Sequence, residues 1–144
     1  MANESNTIVA YSPQCAYHEA NLAGAGTYLP GHLVQIDSSK EIVFATATGV
    51  LAVQALSVLV EDDLIGSDAS VAYTAAGQLT KRVKLQSGDR VWLRTTAAAV
   101  TVGDLIEGEA ATGRVLTRSA GAVLGTALTA GAGAADDMIL VEIA

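Results

Sequence analysis

The sequence predicts a mainly β protein, a compact β-barrel or sandwich-like domain preceded by an extended N-terminal arm. Three observations carry this. Short apolar runs from about residue 70 onward are separated by glycine-containing turns at regular intervals, the spacing of a barrel or sandwich. Inside those runs the side chains alternate as they do in a half-buried strand: Lys81, Val83 and Leu85 against Arg82 and Lys84, and Val91 and Leu93 against Trp92 and Arg94. The chain also holds 14 Gly, and each Gly in a stretch such as Ala23–Gly26 disfavours a helix by about 1 kcal/mol relative to Ala, so helix content is expected to be small.

Taken in order, residues 1–30 keep no periodicity for long and hold Tyr11, Tyr17, Tyr28 and both prolines, Pro13 and Pro30, which predicts the arm. Residues 31–144 form a single β-rich domain. His32 to Ile36, the turn chemistry of Asp37-Ser38-Ser39-Lys40, and Glu41 to Ala47 predict a hairpin. Ile42 to Val60 is uncharged over 19 residues, long enough to cross a bilayer. Its Thr46, Thr48, Gly49, Gln54 and Ser57, and the absence of aromatic or basic anchors, favour buried strands broken near Thr48-Gly49, with no membrane partner. Val53, Leu56 and Val60 also fit helical spacing, but the Val and Leu enrichment favours a strand. Strands are then expected in Ser70–Tyr73, Leu79–Leu85, Arg90–Thr95, Val100–Val102, Arg114–Ser119, Ala122–Leu128 and Met138–Ile143, the last closing the sheet. Residues 131–135, all Gly and Ala, read as a flexible loop before it.

Length and charge narrow the function classes. A 144-residue chain matches one domain and can bury a sizeable core. A single cysteine, Cys15, permits no intrachain disulfide and no thiolate cage, so stability rests on packing or assembly. The N-terminus lacks the basic and apolar segments of a signal peptide, and synthesis in a cytoplasm is expected. The net charge of -7 argues against attraction of the whole protein to nucleic acid or anionic lipid. The charge is segregated, however: residues 1–80 carry -7, residues 81–118 carry +3 and residues 119–144 carry -3. A basic patch on one subunit facing an acidic patch on another fixes register and speeds encounter; cross-strand pairing within the chain accounts for the pattern equally well.

The side chains capable of chemistry fall short of sites. Cys15 and His18 could form a thiolate dyad, but they lie in the arm and His32 is the only other histidine. The same three residues lack a fourth zinc ligand and any familiar spacing. Glu61, Asp62, Asp63 and Asp68 do not follow a calcium-loop pattern, and no glycine-rich segment leads into a phosphate-binding GK[ST] sequence. The sequence therefore predicts no catalytic residues, no cofactor, no metal and no small-molecule substrate. A single-stranded nucleic-acid-binding β-barrel is the alternative, using Lys81, Arg82, Lys84, Arg90 and Arg94 around Trp92 as a stacking platform.

From Gly77 onward the order of elements resembles the small β-rich capsid decoration, or cement, proteins of tailed bacteriophages. The residues that carry the likeness are Ser87-Gly88-Asp89-Arg90-Val91-Trp92-Leu93, Val102-Gly103-Asp104-Leu105-Ile106, Gly113-Arg114-Val115-Leu116, and Gly125-Thr126-Ala127-Leu128 followed by Met138 to Ile143. Similar turns occur in barrel-sandwich carrier modules, but those present a lysine at a hairpin tip, and Lys81 and Lys84 lie within a strand pattern. The resemblance covers about half the chain and implies a tulip-type fold and a structural virion protein. Such a protein is made in the host bacterial cytoplasm and binds the outer surface of the phage head. It acts as an oligomer, commonly a homotrimer, and its partners are the major capsid protein and itself. Tyr11, Tyr17, Tyr28, Arg82, Lys84, Arg90 and Arg94 are the expected capsid or subunit contacts.

Overall fold

In a computed structural model, residues 8–12, 17–45, 56–62 and 69–144 are described. They form eleven strands: β1 (Val9–Tyr11), β2 (Tyr17–Asn21), β3 (Leu33–Ile36), β4 (Ile42–Phe44), β5 (Ser57–Leu59), β6 (Leu79–Lys84), β7 (Arg90–Arg94), β8 (Leu105–Gly108), β9 (Val115–Thr117), β10 (Gly125–Ala127) and β11 (Met138–Ile143). Six make one antiparallel sheet in the order β1-β7-β11-β10-β8-β9, and five make a second in the order β2-β6-β5-β3-β4. No helix occurs among the described residues.

The arrangement is sandwich-like, with no closed barrel. Backbone bonds outside the strands tie the sheets at two places. Arg94 N–H donates to the Gly31 carbonyl (3.1 Å) while Gly31 N–H donates to Leu59 (2.9 Å), and Leu33 N–H donates to Gly113 (2.7 Å) while Ala111 N–H donates to Ala45 (2.8 Å). Between the sheets lies the main core. Leu33, Val58 and Val83 from the five-stranded sheet meet Val91, Leu93, Ile106, Val115, Ile139 and Val141 from the other. Burial of each side chain of this size contributes roughly 1.5–3 kcal/mol.

Strand alternation supplies a second, smaller core on the outside of the five-stranded sheet. Val34, Ile42 and Leu59 point away from the main core and are covered by Leu22, Tyr28 and Tyr73 from neighbouring segments, with Ala20 and Phe44 packed against them. Residues 17–30 are thus part of the body wherever they are described. Ile8 and Leu22 are fully buried, β1 is an edge strand of one sheet and β2 an edge strand of the other. The expectation of a separate arm is corrected to this extent. Its apolar residues were too widely spaced to show strand periodicity, yet each fills a place at an edge or over an outer face.

The expected hairpin is present. Val34, Gln35 and Ile36 pair with Phe44, Val43 and Ile42, and the Asp37 carboxylate accepts the N–H groups of Ser39 and Glu41, each at 2.9 Å. The uncharged run from Ile42 to Val60 begins in β4 and ends in β5; the expected turn at Thr48-Gly49 lies outside the described residues. Ser70–Tyr73 and Val100–Val102 make isolated bridges rather than strands, at Tyr28–Tyr73 and Val100–Gly131. The last strand does not close the sheet. β11 sits between β7 and β10, and its nearly continuous apolar run, Met-Ile-Leu-Val-Glu-Ile, suits an interior position.

One turn recurs. In Leu29-Pro30-Gly31-His32, Ala75-Ala76-Gly77-Gln78, Gln86-Ser87-Gly88-Asp89 and Thr101-Val102-Gly103-Asp104, the third residue is a glycine with φ between 76° and 94°. The fourth residue's N–H donates to the first residue's carbonyl at 3.0–3.1 Å. In every case the fourth side chain also accepts the first residue's N–H, at 2.9–3.1 Å. This is a type II turn, which needs glycine at its third position, sealed by an acceptor immediately after it.

Candidate functional site

Two tyrosines expected to make contacts do reach the surface, at the edges of different sheets. Tyr11 ends β1, is 56% exposed, and has the Arg90 guanidinium 6.0 Å from its ring centroid. Tyr17 begins β2, is 52% exposed, and carries the Lys81 ammonium 4.5 Å over its ring. Both distances fall within cation–π range. Tyr17 also ends an apolar row: Leu33, Val58, Val83 and Tyr17 are consecutive register partners across β3, β5, β6 and β2. The inner face of the five-stranded sheet therefore comes to the surface at this edge.

The other expected contacts divide. Lys84 is exposed at the end of β6, and Arg90 is exposed and paired with Glu142 at 3.0 Å. Arg82 is half-buried, its Nη1 donating to Ser57 Oγ at 2.6 Å, and burial lowers its pKa. Tyr28 and Arg94 are corrections. Tyr28 is 8% exposed and stacks on Phe44 with ring centroids 4.0 Å apart, as a member of the second core. Arg94 is 9% exposed and donates to three backbone carbonyls: Pro30 through Nε (2.7 Å), Asp136 through Nη1 (3.0 Å) and Ala69 through Nη2. Alternation along β7 does set Arg94 opposite Leu93, but the segments around Pro30, Ala69 and Asp136 close over it.

Around Arg94 lies a polar cluster that no sequence motif announced. His32 Nε2 donates to Asp136 Oδ1 at 2.9 Å, and Arg114 grips the same carboxylate with Nε on Oδ1 and Nη2 on Oδ2, each at 2.9 Å. Asp136 adopts φ 63°, in the left-handed region that Asp enters more readily than most non-glycine residues. The hydrogen bonds from Arg114, joined by that from His32, outweigh partial burial and bring the Asp136 carboxyl down to about 2. Burial pushes the His32 pKa down, helped by the positive charges of Arg94 and Arg114 and opposed by Asp136.

The His32 tautomer follows from its partners. Nδ1 accepts the Leu29 N–H at 3.1 Å and so carries no proton, which leaves Nε2–H for Asp136. A His–Asp pair is two-thirds of a hydrolytic triad, but the nitrogen that would serve a nucleophile is occupied by a backbone amide. The cluster joins the segments before β3, β9 and β11 to the end of β7, and its role is to hold them together. Elsewhere Glu107, buried in β8, accepts N–H groups around Ser119 to Gly121; burial raises its carboxyl pKa, and those hydrogen bonds prevail and lower it.

Cys15, Asp63 and Asp68 lie outside the described residues. Among the described residues no group of three or more His, Cys, Asp or Glu side chains is placed to hold a metal, and no helix is long and apolar enough to cross a membrane.

The chain matches no protein-family model and no curated protein sequence.

Proposed function

We propose that this is a structural virion protein, a capsid decoration or cement protein. It binds the outer surface of a phage head as an oligomer, a homotrimer on the family resemblance, and stabilises contacts between major capsid subunits. The observation that carries the reading is the β2 edge. Four of its five residues are exposed, the apolar row from the core surfaces there at Tyr17, and Lys81 and Lys84 stand on the neighbouring strand. An edge strand offers main-chain hydrogen bonds to an added strand, and an aromatic anchor with a polar rim supplies the rest of a docking surface. Affinity from each copy can be modest, because joined copies engage a repeating lattice together.

Low overall charge and few aromatic residues suit a subunit whose surface meets neighbours. The nucleic-acid alternative loses two of its five basic residues, since Arg94 is buried against carbonyls and Arg82 is held by Ser57. The test is cosedimentation of the purified protein with phage heads assembled without it. Binding that saturates, and that raises the temperature at which the heads rupture, supports the proposal. Absence of binding removes it.

A further inference from the structure

The two sheets differ on their outer faces. That of the five-stranded sheet is covered by its own chain, through Leu22, Tyr28 and Tyr73. That of the six-stranded sheet carries a row of consecutive register partners, Tyr11, Arg90, Glu142, Thr126 and Leu105, running across β1, β7, β11, β10 and β8. At the usual strand spacing this row is about 19 Å long. Its ends are apolar and exposed, Tyr11 at one and Leu105, 46% exposed, at the other. Its second and third members are the Arg90–Glu142 pair, with both side chains about half exposed. In the next row Trp92 pairs with Leu140, both half-buried.

We infer that this face binds a second copy of the same chain about a twofold axis passing between Arg90 and Glu142. The charge pattern identifies the occupant. A twofold at that point sets Arg90 of one copy against Glu142 of the other, and the reciprocal pair forms by symmetry, so one patch complements itself. In a chain of net charge -7 two copies repel in general, and this row, with one charge of each sign, is neutral. With the axis running along the strands, Tyr11 of one copy meets Thr126 of the other and Trp92 meets Leu140, which provides the area to bury with the sheets packed roughly 10 Å apart. The contact lies away from the β2 edge and does not depend on the shell reading. An isologous contact joins copies in twos, so it adds to a threefold association and does not replace it.

The test uses two charge reversals, Arg90→Glu and Glu142→Arg, in the full chain, with sedimentation velocity as the readout. Each variant alone places like charges across the axis and should associate at least about tenfold more weakly, sedimenting at half the wild-type mass. Mixed in equal amounts, the two variants should recover the wild-type mass, because Glu at position 90 of one copy then faces Arg at position 142 of the other. Loss of the pair within each chain is common to both variants and cannot be repaired by mixing, which separates a contact from a folding defect. Circular dichroism of each variant checks the fold. Unchanged mass in the single variants, or no recovery on mixing, overturns the inference. Shell binding is not read in this experiment, so either proposal can fail without the other.

Discussion

His32 Nε2 and Asp136 Oδ1 stand 2.9 Å apart although their residues are separated by 104 positions, and the bond closes one end of the sandwich. With Arg114 on the same carboxylate and Arg94 on three carbonyls, it fixes the loops that lead into β3, β9 and β11. The surfaces proposed to bind partners lie elsewhere, on edges and on an outer face.

Acid should weaken the fold in two windows. The unfolded chain takes up a proton at His32 near its ordinary value of 6.5, whereas the folded chain resists it, so stability begins to fall as the pH drops below that value. Asp136 behaves likewise lower down: its contribution is complete above the ordinary value of 3.8 and is lost as the pH falls towards about 2. The shift at Asp136 corresponds to roughly 2 kcal/mol. Urea unfolding across this range should show both limbs, and His32→Gln should flatten the upper one and shorten the lower, which Arg114 then sustains.

Arg94→Ala should lower stability by about 3 kcal/mol, because it strands three carbonyls in a buried site. Arg94→Lys should recover only part of the loss, since a single ammonium cannot match the planar spread of donors. Denaturant midpoints at constant m-value measure both.

The two tyrosine classes should separate cleanly. Tyr28→Ala removes a stacked ring from the second core and should cost about 3 kcal/mol or more. Tyr17→Ala should stay within about 0.5 kcal/mol of wild type while weakening shell binding. Thermal melts beside cosedimentation distinguish them.

Gly113 and Gly77 have similar φ values, 70° and 76°, but different surroundings. A Cβ at Gly113 would lie 2.8 Å from the Phe44 ring and 2.9 Å from the Leu33 carbonyl, whereas at Gly77 nothing lies within 4 Å. Gly77→Ala should therefore cost about 1 kcal/mol from backbone strain alone, and Gly113→Ala at least about twice that. Equal midpoints for the two variants would contradict this packing.

The β class, the hairpin at residues 33–44 and the run of β11 were legible because period-two alternation and glycine turns are local signals. So were the Gly-Asp turns, whose sealing hydrogen bonds span four residues. The polar cluster was not legible. His32, Arg94, Arg114 and Asp136 come from four segments, and nothing in their spacing links them until the sheets pack. Tyr28 was misplaced for the converse reason: its segment lacks strand periodicity because it covers a sheet instead of joining one. Alternation gave Arg94 its correct side of β7 but carried no information about the loops that bury it. The β2 edge was visible only as a tyrosine in a polar stretch, and its register with Val83 turned that tyrosine into the end of an apolar row.

In the proposed function, the β2 edge attaches the protein to a shell. The most direct measurement is the number of copies bound per head, by cosedimentation with heads assembled without the protein, for wild type and for Tyr17→Ala paired with Lys81→Ala. Saturable wild-type binding, with at least about tenfold weaker binding by the double variant at unchanged thermal stability, is the predicted result. Equal occupancy by both proteins, or none by either, would contradict it.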